Sequence, residues 1–416
     1  MVKVYGDIML DSWIIGKASR ISPEAPVPVL KEIEKKNSIG GAANLALNLS
    51  NIIDNVSLFG AVGMDDEGFD VLRILEKTNN IDCSIQSDAE ITTTKTRLVG
   101  QRGQHIMRWD KEKKYKGQAQ TRFLESVNKE DIVCLSDYNK GTIGVNLVEQ
   151  LVNKDCKVLV DPKQGPDVYK GAFLVKPNMK EYKAWFGKFK KETALIKLKE
   201  YGWKYLIVTD GANGVHVLSN ELYYQHYQEP VREVADVTGA GDTVLAVIAY
   251  GIERGMDVFA ACKLACYAGA RSVEHRGVYA IQPEDLKRQI VWTNGVFDIL
   301  HEGHFRLLRH AKSKGRKLIV GINSDASTKR LKGEDRPINN QLQRKMNLEL
   351  LPWIDEVVIF DEDTPINSIE RFQPDLIVKG GDYTVDTVVG HELAEVDIFP
   401  TVKDQSTTNI IEKMKI

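Results

Sequence analysis

A glycine-rich turn that contains a carboxylate is the first feature of the sequence that could do chemistry. Gly239, Ala240 and Gly241 precede Asp242, and the apolar stretch 244–253 follows as a predicted helix. Backbone N–H groups at a helix start bind anions, because they have no partners in the helix and lie at the positive end of its dipole. A carboxylate placed there can take a proton from an attacking hydroxyl group. The alternative is a plain turn in which Asp242 caps the helix.

Two further segments of the same region follow predicted strands, where ligands bind in open α/β sheets. Asn178 and Glu181 are three residues apart and could hold a hydrated Mg²⁺ next to nucleotide phosphates. An equally good alternative is a helix start at which the two residues form a capping box. The turn 209–214 carries two glycines, and its simplest interpretation is a hairpin.

A second pair of chemical groups lies near residue 300. His301 and His304 follow the predicted strand 290–292 and open a predicted helix over 306–313, with Gly303 between them. Imidazoles at a helix start can donate to phosphate oxygens, and a glycine lets backbone approach the ligand closely. Zinc binding is the alternative, but no third ligand is apparent. A further alternative is that the two histidines only cap the helix.

Strand-like and helix-like segments alternate along the first two thirds of the chain, which predicts a largely parallel sheet with helices on both faces. The predicted strands are 3–8, 56–62, 131–136, 158–161, 172–176 and 205–210, and the first two predicted helices are 42–53 and 69–77. The Thr-rich, alternating stretch 84–110 predicts an antiparallel lid sheet instead.

The pattern restarts near residue 280, where a polar helical stretch over 283–289 precedes a new strand at 290–294. A second βα series follows: helix 306–313, strand 317–323, helix 341–350, strand 356–360 and strand 376–379. We therefore predict two domains, 1–287 and 288–416.

The composition is that of a globular protein, with 43% hydrophobic and 27% charged residues, and excludes a disordered or collagen-like chain. The formal net charge of −2 gives no basic footprint for nucleic acid or an anionic membrane. No apolar run is long enough to span a bilayer, and residues 1–7 lead into a strand without a signal-peptide pattern. We expect a soluble cytoplasmic protein.

The five cysteines are irregularly spaced and do not predict a disulfide framework. Cys262 and Cys266 lie one helical turn apart, without further ligands nearby, so we expect small buried helix residues rather than a metal site.

Taken in order, the motifs of residues 1–280 resemble the ribokinase-like family of carbohydrate kinases. The stretch Arg20–Val29 is similar to the heptose 7-phosphate kinase branch of that family. The resemblance implies that Asp242 is the catalytic base and that 92–99 forms a lid that excludes water. It implies sugar binding by Asp7, Asp11, Gly40, Gly41 and Asn44. It implies ATP binding by Lys163, Asn178, Met179, Lys180, Glu181, Asp210, Gly211, Gly214, Gly239, Ala240 and Gly241, with Asn178 and Glu181 supporting Mg²⁺ indirectly.

Residues 290–416 resemble the nucleotidyltransferases whose signature is His-x-Gly-His, in the branch that acts on sugar phosphates. The resemblance implies that a sugar 1-phosphate attacks the α-phosphorus of ATP, while His301 and His304 stabilise that phosphate. It implies nucleotide binding by Asn294, Gly295, Phe297, Asp298, Gly303, Asn323, Asp325, Lys379, Gly380, Asp382, Ser406, Thr407 and Thr408.

Three charged residues of this half leave alternatives open. Glu302 stands where the family often has proline, so a negative charge is added near the phosphates. Lys329 and Lys332 could neutralise substrate phosphates or belong to a solvated basic face.

The order of the two halves resembles the bifunctional heptose kinase/adenylyltransferases of Gram-negative bacteria. That resemblance implies phosphorylation of D-glycero-β-D-manno-heptose 7-phosphate at C1 and, after removal of the 7-phosphate, formation of ADP-heptose for the lipopolysaccharide core. It also implies ATP at both sites, Mg²⁺, no nucleic-acid or membrane partner, and a homo-oligomer, with a dimer as the expected form. The alternatives are a kinase for another sugar fused to a cytidylyltransferase, and a regulator that binds sugar phosphates without chemistry.

Overall fold

The computed structural model describes residues 1–78, 80–101, 103–229, 231, 234–275, 277–286, 290–381 and 383–400. The chain forms two compact units, Met1–Asp285 and Leu286–Ile416. The predicted domain boundary at 287/288 falls on residues outside the described ranges, and it stays a prediction. Each unit is described by itself below.

The first unit is built on a large sheet flanked by helices. Its strands are β1 (Val2–Gly6), β2 (Ile8–Ile21), β3 (Pro28–Gly41), β4 (Val56–Gly63), β5 (Ile81–Ala89), β6 (Thr93–Gly100), β7 (His105–Lys111), β8 (Ile132–Ser136), β9 (Lys157–Asp161), β10 (Leu174–Val175), β11 (Tyr205–Thr209), β12 (Val215–Ser219) and β13 (Tyr224–Tyr227). Its helices are α1 (Ala42–Ser50), α2 (Asp66–Glu76), α3 (Ala119–Ser126), α4 (Val145–Asn153), α5 (Met179–Phe186), α6 (Lys191–Glu200), α7 (Ala240–Glu253) and α8 (Val258–Ser272).

Nine strands form the main sheet in the order β13-β12-β11-β10-β9-β8-β1-β4-β5. The pairs from β11 to β5 are parallel, and the last two pairs, β11 with β12 and β12 with β13, are antiparallel. The central strands β1 and β8 are buried along their whole length, as expected where both faces of a parallel sheet are covered. The predicted fold of this unit, a parallel sheet with helices on its faces, is confirmed.

Side chains from one face of the sheet form a core with helices α3 to α6. Tyr5, Val133 and Val160 belong to this core, together with Phe123 of α3 and Tyr182 of α5. On the opposite side, α1 and α7 contact each other and the strands β4, β8 and β9. This arrangement places the start of α7 at the carboxyl end of the central strands.

A separate four-stranded sheet has the order β3-β2-β6-β7 and is called the lid sheet below. The prediction of an antiparallel sheet over 84–110 was partly wrong. β5 pairs parallel with β4 in the main sheet, and β6 pairs parallel with β2. Of the strands in the predicted stretch, β6 and β7 are the pair that is antiparallel. Alternating side chains predict a half-exposed strand but cannot identify its partner, which here is the long strand β2 from residues 8–21.

Cys262 and Cys266 lie in α8 as free, buried cysteines, as predicted from their helical spacing. Of the predicted polar helix over 283–289, the described part is a 3₁₀ turn over Pro283–Leu286, and residues 287–289 lie outside the described residues.

The second unit is a five-stranded parallel sheet with helices on both faces, which confirms its predicted Rossmann-like fold. Its strands are β14 (Ile290–Gly295), β15 (Lys317–Asn323), β16 (Glu356–Phe360), β17 (Leu376–Gly380) and β18 (Glu395–Phe399), in the order β16-β15-β14-β17-β18. Its helices are α9 (Glu302–Ser313), α10 (Asp325–Lys332), α11 (Gln341–Glu349) and α12 (Ile366–Phe372).

The two faces of this sheet bury different residues. Val291 packs with Leu308 of α9 and Leu348 of α11 on one face. Trp292, the next residue, packs with Ile369 of α12 on the other face. This strict alternation fixes the register of β14, and therefore fixes where the chain leaves the sheet after Gly295.

Within the described residues, none of the helices has the length and apolar character required to cross a bilayer.

Candidate active sites

Asp242 lies in the first turn of α7 and is buried. Its Oδ2 accepts a 2.7 Å hydrogen bond from Nδ2 of Asn44, and the Tyr138 hydroxyl lies 3.4 Å and 3.5 Å from its two carboxylate oxygens. Gly239, with φ of 82°, caps the helix in the left-handed conformation that glycine adopts without strain. The turn therefore places a carboxylate at the amino end of a helix, where the dipole is positive.

Burial, and then the nearby Asp161 carboxylate, raise the pKa of Asp242 to about 7 against the opposing effects of Asn44 and Lys176. A pKa near the working pH is what a general base requires, because it can then both accept and release a proton. The chemistry that suits this carboxylate is proton abstraction from a hydroxyl group.

The predicted sugar residues lie in two neighbouring segments, 7–11 and 40–44, and they differ in what they contact. Asp11 is buried, and its carboxylate lies directly against Gly40. A Cβ on residue 40 would be 2.3 Å from Oδ2 of Asp11. Gly41 has φ of 61°, and a Cβ there would lie 2.2 Å from the carbonyl oxygen of Asp7. Both glycines are thus required for the close approach of this segment to residues 7–11.

Asp7 uses its carboxylate within the protein. Its Oδ2 accepts hydrogen bonds from the backbone N–H groups of Tyr138 and Lys140, and its Oδ1 accepts one from the Thr142 hydroxyl. These bonds hold the loop that follows β8, which carries Tyr138. Asp7 therefore positions this loop, whereas Asn44 bonds directly to Asp242 and Asp11 is paired with Arg97.

A cavity of about 530 Å³ opens next to the start of α7. Of the predicted ATP residues, those that line it are Lys163, Asn178, Glu181, Gly211, Gly214, Ala240 and Gly241. The others lie outside its lining: Met179 is in the apolar core, Lys180 is exposed, Asp210 caps the turn at 211–213, and Gly239 caps α7.

Asn178 and Glu181 form the capping box of α5, which is the alternative to Mg²⁺ binding that the sequence offered for this pair. Asn178 Oδ1 accepts from the Glu181 N–H, and Glu181 Oε2 accepts from the Asn178 N–H, both at 2.9 Å. The remaining Glu181 oxygen, Oε1, lies 2.9 Å from Nζ of Lys163. The cap and the position in the cavity are compatible, because the box fixes the carboxylate at the cavity wall.

Tyr138 and Lys176 are among the cavity residues that were not predicted as site residues from the sequence. Lys176 is almost fully buried, and its Nζ lies 3.0 Å from Oδ2 of Asp161. Burial raises the pKa of Asp161, which the Lys176 ammonium opposes. Both residues follow strands, β8 and β10, so their position at the carboxyl end of the sheet was the available signal.

The donor set of this cavity suits Mg²⁺. Asp161 and Glu181 both line it, and Mg²⁺ commonly binds one or two carboxylates together with water and substrate phosphates rather than a cage of protein ligands. The described ranges contain no cluster of three His, Cys, Asp or Glu side chains that could enclose a metal.

In the second unit, His301 and His304 lie at the start of α9 with ring centroids 3.8 Å apart. Burial lowers the pKa of both rings, to about 4 for His304, where the neighbouring His301 adds to the effect. The Nδ1 atoms of both rings are buried and have no hydrogen-bond partner among the described residues. Two neutral imidazoles at a helix start are suited to contact phosphate oxygens.

These histidines line a cavity of about 620 Å³. Of the predicted nucleotide residues, Asn294, Gly295, Phe297, Asp298, Gly303, Asn323, Lys379 and Gly380 also line it. Asp325 does not line the cavity. Its carboxylate lies 2.8 Å from the buried guanidinium of Arg344. Asp382, Ser406, Thr407 and Thr408 lie outside the described residues, and their predicted roles stay predictions.

Arg344 is the residue that connects the loops around this cavity, and it was not among the predicted site residues. It is fully buried and donates to the carbonyl oxygens of Val296 and Asn339 as well as to Asp325. Asp298 acts in the same way, since it accepts hydrogen bonds from the N–H groups of Ile338 and Asn339. Both residues position the cavity wall.

Three cations differ in how they face this cavity. Lys379 donates to the backbone and side-chain oxygens of Asn294, and burial lowers its pKa to about 8. Lys332 lines the cavity, which favours its phosphate-binding interpretation. Lys329 is outside the lining and lies 3.7 Å from Glu334.

Glu302 does not bring its charge into the cavity. Its carboxylate is exposed and lies 2.5 Å from the Arg306 guanidinium, one turn along α9. The negative charge that Glu302 adds at this position is therefore neutralised by Arg306.

Comparisons with known proteins agree with this division. The family model for pfkB family carbohydrate kinases matches residues 1–285, and the cytidylyltransferase-like family model matches residues 292–413. The chain is similar over its whole length to proteins named bifunctional protein HldE. That of Marinomonas sp. is 41% identical, with 100% of this chain and 98% of the relative covered, and that of Campylobacter curvus is 37% identical, with 100% and 98% covered.

Solved structures show the fold of the first unit. A ribokinase from Thermotoga maritima is 21% identical with a TM-score of 0.55, covering 68% of this chain and 97% of that one. Phosphofructokinase-2 from Escherichia coli is 17% identical with a TM-score of 0.59, covering 69% and 97%. With its full-length similarity and both family domains in the same order, the chain belongs to the family of the bifunctional protein HldE.

Proposed function

We propose that the chain catalyses two transfers in ADP-heptose biosynthesis. In the first unit, the C1 hydroxyl of D-glycero-β-D-manno-heptose 7-phosphate attacks the γ-phosphorus of ATP, giving the 1,7-bisphosphate and ADP. A separate phosphatase removes the 7-phosphate. In the second unit, a phosphate oxygen of heptose 1-phosphate attacks the α-phosphorus of ATP, giving ADP-heptose and pyrophosphate.

The observation that carries the kinase proposal is Asp242 at the start of α7, with a pKa of about 7 and Asn44 bonded to its Oδ2. Asp242 takes the proton from the attacking hydroxyl, and the N–H groups of 239–242 stabilise charge on the phosphoryl group in transit. A regulator that only binds sugar phosphates would not need a buried carboxylate in its anion site, since the charge repels phosphate.

Asp161 and Glu181 are the carboxylates placed to hold Mg²⁺ beside the phosphates. When bound, Mg²⁺ neutralises charge that develops on the phosphate oxygens. Lys163 and Lys176 lie within 3.0 Å of these carboxylates and can contact the nucleotide phosphates themselves.

The second unit needs no protein nucleophile, because the phosphate of the sugar attacks directly. His301 and His304 donate to the α-phosphate, and Lys332 and Lys379 supply positive charge at the cavity wall. The family model is described as cytidylyltransferase-like, so the specific alternative is transfer of CMP from CTP.

Sequence and family membership support two further parts of the proposal, the location of the protein and its assembly. We infer that the protein works in the cytoplasm, where ATP and sugar phosphates are found, and that it assembles as a homo-oligomer, with a dimer as the expected form.

The test of this proposal uses the purified full-length chain. Heptose 1-phosphate is supplied with equal concentrations of ATP and CTP, and the products are identified by mass. ADP-heptose with pyrophosphate supports the proposal, whereas CDP-heptose establishes the cytidylyltransferase alternative. A parallel reaction of heptose 7-phosphate with ATP is expected to give the 1,7-bisphosphate, and no transfer would contradict the kinase assignment.

A further inference from the structure

Lys95 of the lid sheet is a half-buried cation without a carboxylate partner. It lies in β6, in register with Asp11 of the neighbouring strand β2. Its Nζ lies 4.6 Å from the centroid of the Tyr138 ring. In the part of the chain that the structure describes, this ammonium makes neither a hydrogen bond nor an ion pair.

The other cations near Lys95 are all paired. They are Arg97 with Asp11, Arg108 with Asp110, and Lys140 with Glu112. Burial lowers the pKa of Lys95, and these three cations lower it further, while Asp11 opposes them. Partial burial of a cation among like charges costs free energy unless an anion binds to it.

The position of Lys95 indicates which anion that is. Tyr138 contacts Lys95 through its ring and Asp242 through its hydroxyl, which lies 3.4 Å from Oδ1 of Asp242. Tyr138 lines the nucleotide cavity and Lys95 does not. Lys95 therefore contacts the tyrosine that also reaches Asp242, and it lies beside the predicted sugar residue Asp11 rather than in the lining of the nucleotide cavity.

We propose that Lys95 binds the phosphate group that the sugar acceptor already carries, and so selects a phosphorylated sugar over the same sugar without phosphate. The inference rests on the proposed kinase function. A phosphomonoester carries a charge of about −1.5 to −2 at neutral pH and offers three strong acceptor oxygens, which match the three donors of an ammonium group. Contact with the Tyr138 ring holds the ammonium in place through its π face.

The test compares Lys95→Met, which keeps an apolar stem and removes the charge, with Lys95→Arg, which keeps the charge. Lys17→Met is the matched control, since Lys17 is an exposed lysine of the lid-sheet strand β2. Kinase activity of the full chain is measured with heptose 7-phosphate and with the unphosphorylated heptose, each varied at saturating ATP, and KM for ATP is measured at a saturating sugar concentration.

For Lys95→Met we expect KM for heptose 7-phosphate to rise about 100-fold, the scale for losing one partner of a desolvated charge pair. Activity on the unphosphorylated heptose, KM for ATP and the melting temperature should stay near those of the unmodified chain. Lys95→Arg should recover most of the preference for the phosphorylated sugar, and Lys17→Met should show no change.

Several results would overturn the inference. Equal losses on both sugars, or a change confined to KM for ATP, would show that Lys95 does not contact the sugar phosphate. A lower melting temperature with unchanged selectivity would make it a structural residue. If the unmodified chain is inactive on heptose 7-phosphate, the proposed function fails separately. The same comparison is then made with fructose 6-phosphate and fructose, and no phosphate preference there overturns the role of Lys95.

Discussion

Asn44 and Asp242 are 198 positions apart in the chain, yet Nδ2 of Asn44 donates a 2.7 Å hydrogen bond to Oδ2 of Asp242. This bond joins the start of α1, which follows the Gly40-Gly41 pair, to the start of α7. One contact thereby connects the segment predicted to bind the sugar with the carboxylate predicted to accept its proton. The two helices also pack against each other, so the bond lies in a rigid part of the unit.

Asp242→Asn tests the catalytic base directly. The substitution keeps the shape of the side chain but removes the proton acceptor, so we expect kinase turnover to fall by about 10²–10⁴. Phosphorylation is measured with heptose 7-phosphate and ATP, and adenylyl transfer by the same preparation is the internal control. Near-normal phosphorylation by the variant would refute the assignment.

The kinase should also depend on pH through Asp242. The base acts when deprotonated, so kcat/KM should rise about tenfold per pH unit below its pKa of about 7 and level off above it. Asp161→Asn removes a negative charge that raises this pKa, so the inflection should move to lower pH. An inflection near the ordinary value for an aspartate in the unmodified chain would contradict the burial argument.

The same pKa shift predicts an effect on stability. Asp242 binds its proton more tightly in the folded protein than in the unfolded chain, so its ionisation between about pH 4 and pH 7 destabilises the fold. We expect Asp242→Asn to raise the melting temperature of the first unit at about pH 8 and to change it little at about pH 4. A lower melting temperature at both pH values would show that the ionised carboxylate stabilises the fold instead.

His304→Ala tests the second site. We expect ADP-sugar formation to fall by about 10²–10³, the scale for one donor to transition-state charge, while the kinase activity persists. Because the pKa of His304 is lowered to about 4, kcat/KM of the unmodified chain should show no histidine inflection near pH 6.5. Loss of activity on zinc chelation with Mg²⁺ replenished would make the histidines metal ligands and contradict this account.

Each unit has its own core and its own cavity, which predicts that the two can be separated. We expect residues 288–416 alone to fold and form ADP-heptose from heptose 1-phosphate, and residues 1–287 alone to phosphorylate heptose 7-phosphate. Thermal unfolding and activity of the fragments and the full chain are compared. A fragment that is unfolded, or folded but inactive, would show that the domains depend on each other.

Much of this architecture could be predicted because the strands and motifs are local patterns. The turn at 239–242, the His301/His304 pair and the parallel strands are of this kind. Pairing across the sequence is different. The partner of β6 is β2, and the role of Asp7 depends on backbone groups more than 130 residues away, which no local pattern reports. Likewise, the capping box at Asn178 was one of two local alternatives, and the ion pair of Glu302 with Arg306 was not predicted, because only the fold decides which contacts form.

The central claim, that one chain carries two complete and separate active sites, is tested most directly by complementation. Purified Asp242→Asn and His304→Ala chains are each supplied with heptose 7-phosphate, ATP, Mg²⁺ and a phosphatase that removes the 7-phosphate of the bisphosphate, and ADP-heptose is measured by mass. Each variant alone should form almost none, and a mixture of the two should restore its formation. A mixture as inactive as either variant alone would contradict the claim.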